Sequence, residues 1–75
     1  MRSEEYGVFV FFSTNWAIRA ENLALKAGFE VKLIPTPRHL SSDCGTALRF
    51  WWTDLDSLTA LLEGNSVSFD RVAKV

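Results

Sequence analysis

Apolar and polar positions divide the chain into six short segments. Residues 6–12 are apolar without a polar break from Val8 to Phe12. Such a run suits a central strand covered on both faces. Ser13, Thr14 and Asn15 follow it, and all three are N-cap types whose side-chain oxygens accept first-turn amides. Ala17, Ala20, Ala24 and Ala27 then recur at helical spacing, with Leu23 beside them. This predicts a helix from about Asn15 to Ala27 whose small residues allow close approach to a sheet. Gly28 is the expected stop at the C′ position.

Residues 29–34 alternate with period two and predict a half-buried strand that Pro35 ends. Residues 46–52 predict a third strand, placed centrally by its apolar content. Thr53 and Asp56 form a short-armed capping box at the next helix start. Leu55, Leu58, Leu61 and Leu62 supply that helix's apolar stripe, and Gly64 is its expected stop. Residues 67–75 predict a last strand.

The order strand, helix, strand, strand, helix, strand is the split-βαβ, ferredoxin-like pattern. With right-handed crossovers, it predicts one α+β domain over residues 1–75. Its four-stranded antiparallel sheet would have the first and third strands central and both helices on one face. Alternation puts Trp51 and Trp52 on opposite faces. One is expected in the core. The other is expected to extend the bare face together with Phe9 or Phe11. Exposed aromatics on a small chain predict burial in an interface, hence a homodimer through the aromatic sheet face.

Composition sharpens this picture. A chain of 75 residues buries only about 60% of its unfolded surface, so it needs a dense core or a partner. Six Phe and three Trp supply the core and exclude a disordered chain. The longest apolar run has five residues, against the ~20 of a membrane span. The net charge of −1 lacks the basic excess of a nucleic-acid binder. Aromatics on the inner strands suggest an RNA-recognition sheet, but the glycine-aromatic signature of such sheets is absent. Met1-Arg2-Ser3-Glu4-Glu5 has no signal-peptide shape, so a cytoplasmic location is expected.

One cysteine and one histidine exclude a disulfide framework, an internal dithiol switch and a four-ligand zinc site. No phosphate loop, carboxylate pair or serine triad is present, and no cofactor is expected. The remaining chemistry lies in the irregular segment from Pro35 to Gly45. Long loops in small domains are usually functional or disordered, and two prolines stiffen this one. Ser41 and Ser42 are N-cap types just before Cys44, and Gly45 after it permits close backbone approach. A helical turn starting there would put Cys44 among first-turn amides, which favour a thiolate. Arg38 and His39 would add positive charge, while Asp43 opposes it. The opposite reading makes Cys44 a small buried hydrophobe, Arg38 a solvated loop residue and His39 simply exposed. Ser13 and Asn15 lie at the carboxyl end of a strand, where sites often form, but capping accounts for them as well.

Pro35-Thr36-Pro37-Arg38, then Ser41-Ser42-Asp43-Cys44-Gly45 and the strand Ala47-Leu48-Arg49-Phe50 resemble the selenium/sulfur carrier-like family of small bacterial domains. The Val8–Phe12 strand, Ser13-Thr14 and the helix with Ala17, Ala20, Glu21 and Leu23 resemble it too. The resemblance covers nearly the whole chain. It implies a carrier rather than an enzyme with turnover of its own. Cys44 would hold a persulfide or selenopersulfide, with Arg38, Ser41, Ser42 and Gly45 binding its charge. A donor protein would load the atom and an acceptor enzyme would take it. In the alternative reading the chain is a small anion-binding or protein-interaction module in which the cysteine is incidental. Adjacent Phe50, Trp51 and Trp52 depart from the family's usual pattern.

Overall fold

A computed structural model describes residues 5–37 and 45–74. The elements in chain order are β1 (Tyr6–Val10), α1 (Thr14–Lys26), β2 (Val31–Pro35), β3 (Thr46–Trp51), α2 (Leu55–Gly64) and β4 (Arg71–Lys74). A 3₁₀ turn, Trp52–Asp54, joins β3 to α2. The strands form one sheet in the order β2-β3-β1-β4. Every neighbouring pair is antiparallel. The described chain is thus α+β, with a four-stranded antiparallel sheet and two helices. β1 and β3 are central, as their apolar content predicts.

Both helices contribute to one core. Ala17, Ala20 and Ala24 of α1 and Leu58 and Leu62 of α2 pack with Phe9, Leu48 and Phe50 of the sheet. The alanines leave room for the sheet's rings, as their spacing suggests. Phe9 and Phe50 stack with centroids 4.7 Å apart, and Phe69 meets Phe9 edge-on at 4.9 Å. Fully burying a Phe or Leu side chain stabilises by roughly 1.5–3 kcal/mol, so these few residues dominate the fold's stability. On the opposite face Val8, Val10 and Ala47 form a second, smaller buried cluster with Ile34 and Ala73 beside it. The uninterrupted apolar run of β1 is therefore covered on both sides.

Element ends differ from the sequence expectations for identifiable reasons. β1 stops at Val10 rather than residue 12, because its partner β4 begins opposite Val10, at Arg71. Phe11 still enters the core, while Phe12 is 59% exposed. Ser13 caps α1: its Oγ accepts from the Trp16 N–H at 3.5 Å. At the other end Gly28 takes φ 90°. The Gly28 and Phe29 N–H groups donate back to the Leu25 and Ala24 carbonyls at 3.1 and 2.9 Å. This is a Schellman stop. It occupies Phe29, so β2 begins at Val31 rather than residue 29. β2 then includes Pro35, opposite Thr46. Proline is tolerated there because β2 is an edge strand.

The expected Thr53–Asp56 capping box is not formed. Asp54 occupies the N-cap position without a side-chain bond. The Leu55 N–H donates to the Trp52 carbonyl instead, so the preceding 3₁₀ turn satisfies an amide the box would have served. Nor does Gly64 stop α2. It is the last helical residue, and the left-handed conformation falls on Ser66, φ 59°. The Ser66 and Val67 N–H groups donate to the Glu63 and Leu62 carbonyls at 3.1 and 2.9 Å. The chain is returning to the core at Val67 and Phe69, so β4 begins at Arg71 rather than residue 67.

Candidate functional site

The β2–β3 connection carries the sequence-predicted site. Its base is well formed. Pro35 and Thr46 make the last ladder pair, and the Thr36 N–H donates to the Gly45 carbonyl at 3.0 Å, one step further out. Gly45, the residue after Cys44, is thereby tied to the sheet. By register the base lies at the end of the sheet where β1 runs out, since Val10 pairs with Ala47. Ser13 and the start of α1 follow directly from that end. Cys44, Arg38, His39, Ser41, Ser42 and Asp43 lie outside the described residues. Gly45 is exposed, and a Cβ built on it meets nothing within 4 Å. No described neighbour therefore requires glycine there. Ser13 acts as the cap. Among the described residues no group of three or more His, Cys, Asp or Glu is placed to hold a metal ion.

The aromatic expectations need correction. Trp51 and Trp52 do part to opposite faces: Trp52 packs on the helix-side core. However, Phe9 and Phe11 are also buried in that core, so neither reaches the opposite face, which is not bare either: Val8, Val10 and Ala47 are buried there. They share the strand parity of Gly7, whose neighbours are Trp52 and Phe50. The partner of Trp51 is Tyr6, which lies directly opposite it. Their rings stack with centroids 4.9 Å apart.

Around this pair the structure assembles a cleft of about 240 Å³ lined by Tyr6, Glu30, Val31, Lys32, Arg49, Phe50 and Trp51. The Arg49 guanidinium lies over the Tyr6 ring, 4.8 Å from its centroid. The Trp51 Nε1–H donates to Glu30 Oε2. Sequence reading missed this grouping, because it depends on pairing across three strands. Alternation in β3 puts Arg49 and Trp51 on one face, but only register brings Tyr6 and Lys32 to them.

A family model described as "Putative Se/S carrier protein-like" matches residues 6–74. The chain belongs to that family. The match runs from the first residue of β1 to the last of β4, so family membership covers the whole sheet, both helices and the Cys44-bearing connection. No curated protein and no solved structure matched the chain. Among the described residues of this family member, no helix is long and apolar enough to cross a membrane.

Proposed function

We propose that the chain carries a sulfur or selenium atom on Cys44. The observation that carries the reading is the family match across the Pro35–Gly45 segment, in a sequence with a single thiol. The Cys44 thiolate attacks the terminal atom of a donor protein's persulfide or selenopersulfide. A new bond from the Cys44 sulfur forms as the donor's bond to that atom breaks, and the donor leaves as a thiolate. A nucleophile of an acceptor enzyme then takes the atom in the same way and restores the Cys44 thiolate. No second cysteine exists in the chain to release the atom as a disulfide. Arg38 and the amides around Ser41, Ser42 and Gly45 meet the charge of the loaded group. The tie from Thr36 to Gly45 supports this role, since it anchors the residue next to the thiol.

The finer parts of the reading are a ferredoxin-like arrangement, a cytoplasmic location and a homodimer. The chain order and the sheet order β2-β3-β1-β4 support the first. A reducing compartment suits a lone carrier thiol. The dimer through the sheet face away from the helices rests, among the described residues, on the half-buried Tyr6 and Trp51, since Phe9 and Phe11 belong to the core and Val8, Val10 and Ala47 are buried. Sedimentation at micromolar concentration tests it.

Intact-protein mass spectrometry tests the carrier function. After incubation with a persulfide or selenopersulfide donor, the protein should gain about 32 or about 80 mass units, removable by a thiol reductant. Cys44→Ser should gain nothing. A wild-type protein that stays unmodified under these conditions refutes the carrier reading.

A further inference from the structure

The sheet face turned away from the helices carries an arrangement for which sulfur transfer has no use. In the β2–β3 ladder Lys32 stands directly opposite Arg49. Like charges at opposed positions destabilise a strand pair. Among the described residues the ion pairs join Arg71 to Asp70 and Lys74 to Glu5, and neither Lys32 nor Arg49 takes part in one. Glu30 lines the same cleft, but its carboxylate accepts the Trp51 indole N–H. Among the described lining residues, two cations stand against one carboxylate, a net excess of one positive charge. The contact of Arg49 with Tyr6 holds the guanidinium in place without using its N–H donors. The Tyr6–Trp51 stack and the Trp51–Glu30 bond fix the aromatic wall beside it.

We propose that this cleft binds a small organic anion. Lys32 and Arg49 would share its carboxylate or phosphate group, and the Trp51 indole would pack against its apolar part. Arginine supplies a planar pair of donors and lysine a point charge, a combination suited to an oxyanion. Size narrows the class. The cleft's 240 Å³ falls below the roughly 300–1,000 Å³ of sites for drug-sized ligands, so a ligand of one ring or less fits and a dinucleotide does not. The Lys32–Arg49 pair lies three rungs from Pro35–Thr46, roughly 10 Å along the strands at ~3.3 Å per residue. The site is therefore distinct from the base of the Cys44 connection and independent of the carrier function.

The test is a titration of the full-length, isotope-labelled protein with benzoate, followed through the Trp51 indole N–H resonance. Benzyl alcohol serves as the neutral control. Benzoate should give a saturable shift and benzyl alcohol none. Lys32→Gln, at an exposed position, and Arg49→Gln should each weaken benzoate binding by about tenfold or more, as expected for loss of one charge-assisted hydrogen bond. Cys44→Ser should leave it unchanged. A shift that never saturates, equal binding of the alcohol, or full affinity in Lys32→Gln overturns the proposal. Binding of a glutamate-rich peptide without binding of benzoate also overturns it, in favour of a protein-docking surface.

Discussion

Gly7 of β1 lies beneath the indole of Trp52, the residue at which the chain leaves β3 for the 3₁₀ turn. A Cβ at residue 7 would overlap the Trp52 ring and come within 2.7 Å of Phe50 Cζ. The backbone is tied at the same place, since the Trp52 N–H donates to the Glu5 carbonyl at 3.0 Å. Glycine is required here by close approach rather than by φ, because the glycine with positive φ among the described residues is Gly28. The contact also explains why Trp52 joins the helix-side core although it stands outside the strand.

Gly7→Ala should therefore destabilise the fold by about 1–3 kcal/mol, the usual cost of overpacking a core. Urea unfolding measures it. Trp52→Leu in the same chain should recover part of the loss, because it shortens the overlapping ring. Strictly additive losses in the double variant would show that overlap is not the cause.

The helix ends predict opposite signs for similar-looking glycine changes. Gly28 sits at φ 90°, so Gly28→Ala should cost about 1 kcal/mol. Gly64 is helical with open space around it, so Gly64→Ala should stabilise by about 0.4–1 kcal/mol. Ser66 holds the left-handed position at φ 59°, so Ser66→Gly should stabilise by a similar ~0.5–1 kcal/mol. Thermal unfolding of the three variants checks all of these signs together.

Phe9 and Phe12 share one apolar run yet should respond very differently to truncation. Phe9 is fully buried among Phe11, Phe50 and Phe69, and Phe9→Ala should cost about 3–5 kcal/mol. A chain of this length has roughly 4–11 kcal/mol in total at typical per-residue stability, so that variant should be near unfolding at room temperature. Phe12 is 59% exposed, and Phe12→Ala should shift stability by less than ~0.5 kcal/mol. Circular dichroism in urea distinguishes the two.

Arg38→Ala should slow loading of Cys44 with little loss of stability. The residue lies between Pro37 and His39, outside every described strand and helix, so unfolding should move by less than ~0.5 kcal/mol. Loss of the cation should disfavour the thiolate and slow formation of the mass adduct. Arg38→Lys should restore part of the rate if charge alone is needed, and little if a planar two-point contact is needed. A variant that unfolds, with unchanged adduct formation in its folded fraction, would make Arg38 a structural tie.

Local chemistry was legible without any structure. A run such as Val8 to Phe12, the alanine spacing of α1, the cap at Ser13 and the stop at Gly28 each act through residues within a turn or two. Chain-local windows therefore contain everything that decides them. The same holds for the chemistry of a single thiol, since counting cysteines needs no coordinates. Features that depend on pairing between distant segments were different. Whether Phe9 or Tyr6 faces the helices follows from which neighbours it meets across the ladder, and a one-residue slip would exchange every face. The lengths of β1, β2 and β4 were set by where their partners begin and by how two Schellman turns return the chain to the core. Trp51, Tyr6, Arg49 and Lys32 come from three strands separated by long stretches of sequence, and Glu30 stands just before the second of these, β2. Their cleft exists only because the order β2-β3-β1 brings those strands side by side, and no local pattern encodes that register.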